Sequence, residues 1–458
     1  MLDDLREIET NYNVEDIEFG GFKMWPVLRI YFAAKYYSNV DSQSVTTSVF
    51  SNFIRNLFYG VKHLFKRYDY LYFSSIDQRK NVDSQFIDKS VDSFCSELGS
   101  GLVIEMSSSN HFNKKDVPQN PIISKSIFYF FIFIYSKFFI RSKQIKNAQV
   151  LESILNQYEV DIDYLTIMKR VIAQYRLMKI LLKFHKPKAV FFVCYYTNMG
   201  FIKALREKGI KVIEIQHGLI NDSHDAYNVF KEIDNEYYPE FLLTFGSIEK
   251  DVFKKHTNNF IDVNKVIPIG NFYTDYILHK SVNNERINKL KVQYKFVVTV
   301  TGQNHYTEDI LIKFLKDAAT KAPDVCVLYV PRTVSKSYDN YGFPKNLIKM
   351  DWLNCYESIV QSDFHSTVFS SCALEAPSMG IQNILININN LSKEHFGDIL
   401  VNPLITQFVN SSDEFIEIIR SMDKLPKNQI VSSNSNIIFP GYKNNIIQFS
   451  NFLRNENR

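Results

Sequence analysis

Residues 188–218 read KAVFFVCYYTNMGFIKALREKGIKVIEIQHG and decide the fold. Lys188–Tyr196 is a strongly apolar run typical of a buried strand. Asn198–Lys208 has the pattern of a short helix that closes at Gly209, and Lys211–Gln216 is a second apolar run. A strand, a helix and a strand in this order predict a βαβ unit, whose two strands are parallel.

The same alternation extends in both directions along the 458 residues and restarts after a polar stretch near residue 285. The sequence therefore predicts an α/β protein with two Rossmann-like, doubly wound domains that face a central cleft. We expect the first domain at 1–285 and the second at 286–458, with the final helix Asn444–Leu453 packing back on the first. Within the first domain, Ser84–Leu98 has the pattern of a helix that ends at Gly99.

Composition narrows the class of protein. Lys and Arg number 53 against 49 Asp and Glu, a net charge of +4 that gives no reason to expect a nucleic-acid partner. The five cysteines form no CxxC pair, which argues against a disulfide framework or a zinc ribbon and favours the cytoplasm. The polar, acidic N-terminus is unlike a signal peptide, and no run of 18 apolar residues predicts a spanning helix.

A run of small and hydroxyl residues follows the strand-like segment Phe364–Phe369. Two serines, Ser370 and Ser371, precede a helix that contains Glu375 and closes at Gly380. Free N–H groups and hydroxyls at a helix N-terminus can bind an anion, and a carboxylate one turn later can accept hydrogen bonds from a ribose. An N-capped amphipathic helix with a glycine C-cap would give the same pattern.

This Ser-Ser-x-x-Leu-Glu-Ala-x-x-x-Gly run resembles the donor-site motif of GT-B glycosyltransferases. The resemblance implies a GT-B fold, contacts from Ser370 and Ser371 to the nucleotide phosphates, and a contact from Glu375 to the ribose. The usual Gly-x-Pro ending is absent, since Ile381 and Gln382 follow Gly380.

Two further segments extend the predicted donor site. Thr301, Gly302 and Gln303 follow the first strand of the second domain, where a glycine loop can touch phosphate, although an ordinary turn fits equally. Arg332, after the strand VLYVPR, would add positive charge. Beside the serines lie three more candidates for the nucleotide, of which the histidine could instead be a buried strand residue: His365, Ser366 and Thr367.

The predicted catalytic residue is His217, which lies between Gln216 and Gly218 directly after the strand KVIEI. Histidine is the natural general base near neutral pH, and it could also stabilise a leaving phosphate or serve only the structure. His224 and Tyr227 follow as candidates for acceptor-side or catalytic support. This segment is similar to capsule and O-antigen transferases of the GT-B type, and to the His-Gly of CDP-glycerol glycerophosphotransferases.

Two segments are rich in both apolar and basic residues. Ser51–Arg67 has the spacing of a basic amphipathic helix, and the nine apolar residues Ile127–Tyr135 lie within a basic region at 125–146. Either could instead be a core-facing helix. Together they predict peripheral contact with the inner membrane face.

The resemblance thus implies a metal-independent glycosyltransferase of bacterial capsule or O-antigen synthesis, without a cofactor. Its donor would be a nucleotide sugar, with a CMP-nonulosonate included, and its acceptor a glycan or lipid-linked glycan. The alternatives are a CDP-alditol phosphotransferase, a non-catalytic glycan-binding scaffold and a nucleotide-sugar epimerase.

Overall fold

The computed structural model describes residues 2–37, 53–82, 84–107, 110–118, 120–141, 144–222, 224–255, 260–280, 282–302, 305–332 and 342–456. They form two compact units. Unit 1 comprises Met1–Pro268 with Lys443–Arg458, and unit 2 comprises Ile269–Tyr442. The sequence-based boundary at residue 285 thus falls inside unit 2, whereas the last helix belongs largely to unit 1.

Unit 1 is built on a seven-stranded parallel sheet, flanked by two small antiparallel hairpins, β1–β2 and β4–β5. Its strands are β1 Glu18–Phe19, β2 Phe22–Lys23, β3 Tyr70–Ser75, β4 Arg79–Val82, β5 Gln85–Asp88, β6 Gly101–Met106, β7 Ile122–Ser124, β8 Ala189–Phe192, β9 Lys211–Ile215, β10 Phe241–Thr244 and β11 Val266–Pro268. The order in the large sheet is β11-β10-β9-β8-β3-β6-β7. The central strands of this sheet, β3, β6, β8, β9 and β10, are almost entirely buried, as expected for a parallel sheet with both faces covered.

Helices of unit 1 link β3 to β6, β7 to β8, β8 to β9 and β10 to β11, as βαβ connections require. The helices of this unit are α1 Leu2–Asn11, α2 Trp25–Tyr37, α3 Asp92–Leu98, α4 Ser126–Ile134, α5 Ala148–Gln157, α6 Tyr164–Phe184, α7 Met199–Arg206 and α8 Glu249–Lys254. A π-helix, Tyr135–Phe139, continues α4. No helix among the described residues is both long enough and apolar enough to cross a membrane.

Unit 2 repeats the plan with a six-stranded parallel sheet. Its strands are β12 Phe296–Thr301, β13 Val325–Val330, β14 Leu347–Lys349, β15 Phe364–Ser366, β16 Gln382–Ile386 and β17 Thr406–Val409. The order is β14-β13-β12-β15-β16-β17, so the direction of winding reverses between β12 and β15. In unit 1 the reversal lies between β3 and β8. Each sheet therefore has the strand order of a doubly wound Rossmann fold, with a switch point at which such sheets bind ligands.

The helices of unit 2, with the final helix, complete the chain. They are α9 Phe272–His279, α10 Glu285–Gln293, α11 His305–Lys321, α12 Cys355–Ile359, α13 Cys372–Ser378, α14 Leu391–Phe396, α15 Ser412–Ser421, α16 Lys427–Ser433 and α17 Tyr442–Glu456.

The final helix packs within unit 1. Arg454 is ion-paired with Glu97 at 3.4 Å, and the Phe449 ring lies 6.3 Å from Phe94 and 6.1 Å from Phe241 between ring centroids. These contacts explain why residues 443–458 belong to the first unit although the whole of unit 2 precedes them in sequence.

The prediction of a helix at Ser84–Leu98 is wrong in its first half. Residues up to Asp88 form the second strand of the β4–β5 hairpin, and the helix begins only at Asp92. The cause is a buried polar cluster: the Asp88 carboxylate accepts a hydrogen bond from the Ser74 hydroxyl at 2.5 Å, and Asp92 is ion-paired with Arg79 at 3.4 Å.

The prediction of one amphipathic helix at Ser51–Arg67 is also wrong over the described part, which starts at residue 53. A helical turn at 53–56 is followed by turns and then by the 3₁₀ helix Val61–Phe65. Gly60 breaks the helix because it has φ +73°, and a methyl group there would lie 1.9 Å from the carbonyl oxygen of Ile122.

Candidate active site

In unit 2 several of the predicted donor residues lie at the switch point of the sheet. Thr301 ends β12, Gly302 follows it, and Ser366 ends the neighbouring strand β15. The Gly302 N–H donates to the Val330 carbonyl at 2.7 Å. A methyl group on Gly302 would lie 2.8 Å from the Tyr329 hydroxyl. The loop after β12 therefore requires a glycine at this point for packing.

His365 is fully buried in β15, which is the structural alternative that the sequence left open. One ring nitrogen lies 3.1 Å from the Thr301 hydroxyl and the other 2.8 Å from the Asn383 side-chain oxygen. Burial lowers the pKa of His365 to about 4, so the ring is neutral near pH 7. The hydroxyl of Thr367 donates to the Thr301 carbonyl at 3.0 Å, which joins the ends of β12 and β15. His365 thus supports the site from inside.

The serines differ in access to solvent. Ser366 is buried, and its hydroxyl has no hydrogen-bond partner among the described residues. Ser370 is half-buried and accepts a hydrogen bond from the Cys372 N–H at 3.4 Å, whereas Ser371 is exposed and makes no side-chain cap. The following helix α13 has only seven residues. Ser370 and Ser371 are therefore the hydroxyls of this motif that solvent can reach.

Glu375 is turned inwards. Its carboxylate oxygens accept hydrogen bonds from the Tyr356 hydroxyl at 3.0 and 2.9 Å, and one accepts from the Asn271 amide at 3.4 Å. Arg332, by contrast, is exposed just past β13. Gln303 lies outside the described residues.

In unit 1 the catalytic candidate lies at the carboxyl end of β9. His217 is half-buried, and its Nε2 lies 3.4 Å from the hydroxyl of Tyr196, which follows β8. The Tyr196 ring centroid is 6.2 Å from the rings of both His217 and His224. The structure therefore brings both predicted histidines close to one tyrosine, Tyr196, that the sequence did not indicate.

The charge state of His217 follows from its surroundings. Burial, with His224 and Lys89 nearby, lowers the pKa of His217 to about 4. Burial also lowers the pKa of His224, although the Asp225 carboxylate opposes the shift. Near pH 7 the imidazole of His217 is therefore neutral and open to a proton, but its lowered pKa makes it a weaker base than an ordinary histidine.

The other predicted residues of this segment hold the loop. Gln216 is buried and donates to the Gly218 carbonyl at 2.9 Å and to the Glu249 carboxylate at 2.8 Å. Tyr227 is also buried, and its hydroxyl donates to Glu214 at 2.9 Å. They support the shape of the loop rather than face solvent.

Two buried acids lie behind this loop and were missed in the sequence. Burial raises the pKa of Glu214 to about 8, although hydrogen bonds from Tyr195 and Tyr227 act to lower it. Burial also raises the pKa of Glu249 to about 7. A signal existed for Glu214, because it is the one acid inside the apolar strand KVIEI. Nothing in the local pattern marks Glu249.

The loop 216–230 is also fastened to the N-terminal helices. Arg29 of α2 forms a buried ion pair with Glu9 of α1 at 2.6 Å, and both side chains are 1% exposed. The other guanidinium nitrogens of Arg29 donate to the carbonyls of Asp225 and Asn228, each at 2.7 Å. Glu9 in turn accepts the Phe230 N–H at 2.8 Å. We call this group the Glu9–Arg29 clamp.

Within the part of the chain that the structure describes, no group of three or more His, Cys, Asp or Glu side chains is arranged to hold a metal ion.

Comparison with solved structures shows which known proteins have a similar architecture. A UDP-N-acetylglucosamine 2-epimerase is 12% identical, with a TM-score of 0.50 over 86% of this chain and 97% of that one. The UDP-GlcNAc 2-epimerase of Methanocaldococcus jannaschii is 11% identical, with a TM-score of 0.52 over 85% and 100%. The calicheamicin glycosyltransferase CalG4 is 10% identical, with a TM-score of 0.50 over 85% and 99%.

At these identities the likeness concerns the fold alone. With its two Rossmann-like parallel sheets of seven and six strands, the chain has the GT-B fold. Neither a protein-family model nor a curated protein sequence matches the chain.

Proposed function

We propose that this protein is a glycosyltransferase that moves a sugar from a nucleotide-activated donor to a glycan or lipid-linked acceptor. One observation carries the proposal. The residues that resemble a donor-site motif lie at the switch point of the unit 2 sheet, past the adjacent carboxyl ends of β12 and β15. That is where doubly wound sheets bind nucleotides.

Unit 2 would bind the donor. Ser370 and Ser371 are accessible to phosphate oxygens, and the close-packed Gly302 lets the backbone after β12 approach them. Arg332 would supply positive charge beside them. Glu375 could bind a ribose hydroxyl only after its carboxylate gave up the hydrogen bond from the Tyr356 hydroxyl. We therefore propose that Glu375 holds the shape of the site and does not itself contact the donor.

Unit 1 would supply the base. The neutral His217 takes the proton of the acceptor hydroxyl while that oxygen bonds to the anomeric carbon of the donor. The bond from the anomeric carbon to the phosphate oxygen breaks at the same time, and its electron pair leaves with the nucleotide. Tyr196, 3.4 Å from Nε2, orients the imidazole. Hydroxyls, backbone N–H groups and Arg332 hold the leaving phosphate, so we propose that the reaction needs no metal.

The pathway and location are extensions of this proposal. The resemblance of the segment around His217 to surface-polysaccharide transferases supports a role in bacterial capsule or O-antigen synthesis. Such a role fits a cytoplasmic protein that is peripheral on the inner membrane face, with a CMP-nonulosonate among the donors to test. No nucleic-acid partner is proposed.

A thermal-shift screen against CMP, CDP, UDP, GDP and their sugar conjugates tests the donor site. A ligand at about 100 times its Kd stabilises the native state by about 2.7 kcal/mol. We expect one nucleotide to raise Tm and the shift to shrink in Ser371→Ala. The matched control is Ser433→Ala, because Ser433 is also an exposed serine of unit 2 but lies on α16.

The outcome also separates the alternatives. A response to CDP-alditols with release of CMP would favour the phosphotransferase, and interconversion of free UDP-sugars would favour an epimerase. The absence of a shift with every nucleotide would contradict the donor site. Unchanged glycan binding in His217→Ala would then favour a non-catalytic scaffold.

A further inference from the structure

Unit 1 carries an apolar groove remote from the residues discussed above. The groove encloses about 440 Å³. Three segments line it: the end of the 3₁₀ helix at 61–65, one face of α4 and the last two turns of α6. Nine of its lining residues are apolar, and they are Leu64, Phe65, Ile127, Phe128, Phe131, Leu177, Ile180, Leu181 and Phe184.

Contacts inside unit 1 fix the groove at one edge of the sheet. The buried His185, which follows α6, lies 2.8 Å through its Nε2 from the Leu64 carbonyl oxygen. A few residues later the Lys188 N–H donates to the Asp69 carbonyl at 2.7 Å, just before β8 and β3 begin. The groove therefore lies towards the amino ends of these strands, whereas His217 lies at the carboxyl edge.

The apolar side chains of the groove are unusually exposed. Phe65 is 86% exposed, Phe184 66% and Phe131 47%. Large side chains exposed next to one another mark an interaction surface, whereas single ones are common. Two more exposed phenylalanines, Phe138 and Phe139, lie on the π-helix that continues α4.

The rim of the groove is positively charged. Its remaining lining residues are Lys66, Arg67, Lys183 and His185, and no acidic residue lines it. Lys66, Arg67 and Lys183 are exposed and form no ion pair with any described residue. Elsewhere in unit 1, by contrast, Lys203 and Lys231 are paired with acids at 2.9 Å or less.

We propose that this groove docks unit 1 on a bilayer that contains anionic lipids. A lipid hydrocarbon chain occupies the groove, and Phe65 and Phe184 lie at the headgroup boundary. Lys66, Arg67 and Lys183 contact the anionic headgroups, in keeping with the charge of the rim. The inference deepens the peripheral location proposed above, on which it rests. The predicted membrane contact was a single amphipathic helix at 51–67 together with the region 125–146. The proposed surface is instead built from three segments, and one of them, α6, lies outside the two predicted regions.

Flotation with vesicles tests the proposal on the full chain. We compare vesicles of phosphatidylcholine alone with vesicles of equal parts phosphatidylcholine and phosphatidylglycerol. The wild type should bind the anionic vesicles and lose part of that binding in high salt, which screens exposed charges. In Phe65→Ser/Phe184→Ser, binding to the anionic vesicles should fall at least about tenfold, because the bilayer no longer takes up two exposed aromatic rings.

A second variant tests the charges. Lys66→Gln/Arg67→Gln/Lys183→Gln should lose about fivefold in partitioning for each basic residue removed, on anionic vesicles only. The matched control is Lys289→Gln/Lys291→Gln/Val292→Ser on α10, because these side chains are equally exposed but lie in unit 2. The control should bind as the wild type does.

Insertion is measured with Phe65→Trp in a Trp352→Phe background. Doxyl-labelled phosphatidylcholine in the anionic vesicles should quench the new tryptophan if position 65 reaches the hydrocarbon. Absence of quenching would overturn the proposal in favour of surface adhesion. So would wild-type binding by the groove variants, or a dimer in sedimentation that Phe65→Ser dissociates.

These results do not depend on glycosyl transfer. The nucleotide thermal shift of unit 2 is measured on the same variants and should be unchanged. If the groove variants lose vesicle binding but keep the nucleotide shift, the result supports the membrane-docking proposal. If the wild type binds vesicles but shows no nucleotide shift, the result contradicts the proposed function and does not contradict the membrane-docking proposal.

Discussion

Replacement of Arg29 by methionine should destabilise unit 1 severely. The substitution removes one partner of a buried ion pair and leaves the Glu9 carboxylate uncompensated, which costs about 3–5 kcal/mol. It also removes the donor to the buried carbonyl of Asn228, worth about 1–3 kcal/mol. The expected loss is about 4–8 kcal/mol, comparable with the whole stability of many domains.

The chain offers a local probe of this loss. It has two tryptophans, and the Trp25 indole N–H donates to Glu9 at 3.0 Å. In a Trp352→Phe background, urea unfolding followed by fluorescence therefore reports on the clamp in unit 1 rather than on unit 2. The matched control is Lys188→Met, because the Lys188–Asp69 pair also lies in unit 1 and within 3.2 Å, but its side chains are 49% and 48% exposed. We expect at most about 1 kcal/mol for this control.

In a buried ion pair, removal of one charge costs more stability than removal of both, and the Glu9–Arg29 clamp should behave in this way. Glu9→Leu/Arg29→Met removes both charges and should be more stable than Arg29→Met alone, although the Phe230 N–H then loses its acceptor. A loss below about 1 kcal/mol in Arg29→Met, similar to that of the control, would refute the reasoning.

Three further predictions concern both units. Because the native pKa of Glu214 is about 8 against an ordinary 4.5, the wild type loses stability as pH rises through this window. Relative to the wild type, the free energy of unfolding of Glu214→Gln, measured in urea, should increase by about 3 kcal/mol between about pH 5 and pH 8. A difference between the two proteins that does not change with pH would contradict the raised pKa of Glu214. Gly302→Ala places a methyl group 2.8 Å from the Tyr329 hydroxyl. It should cost about 1–3 kcal/mol and weaken the nucleotide thermal shift, whereas Gly342→Ala, which meets no neighbour but carries φ +55°, separates backbone strain from crowding. EDTA should leave the transfer rate of the nucleotide sugar found by the screen unchanged, and inhibition reversed by a divalent cation would contradict a metal-free reaction.

The sequence predicts the parallel sheets well because their strands are buried on both faces. Apolar runs in the sequence also predict strands at Gly101–Met106 and Val325–Val330, and the structure has strands with these bounds. The strand predicted at Lys211–Gln216 ends one residue earlier. The sequence did not indicate the short strands β7, β14 and β17, since three or four residues show no periodicity. Their place in the sheet depends on the neighbouring strand rather than on their own pattern.

The error at Ser84–Leu98 has a tertiary cause. The segment has helical spacing, but Asp88 and Asp92 meet Ser74 and Arg79 in the folded chain. Those contacts satisfy buried carboxylates that a continuous helix would leave without partners. Local propensity carries no information about such partners.

The candidate site was predictable to the extent that it follows strand ends. Ser371 and His217 could be selected because each follows a buried strand, and the structure leaves both accessible in part. For His365 the sequence had left a buried strand position open as the alternative. The interior role of Tyr227 could not be predicted, since the pattern does not distinguish a half-buried loop residue from a buried one. The clamp was out of reach as well, because Arg29 and its carbonyl acceptor on Asn228 are 199 residues apart.

The discontinuity of unit 1 has a consequence during synthesis. Its last segment, Lys443–Arg458, is translated only after the 174 residues of Ile269–Tyr442. At about 5–20 residues per second, the ribosome takes roughly 9–35 s to cross that interval. Throughout this time the nascent chain has Phe94 and Phe241 without Phe449, their partner in the finished protein. A chaperone that recognises exposed aromatic residues would find its substrate in that interval, and a stop codon just before Lys443 would leave unit 1 incomplete although unit 2 had been made in full.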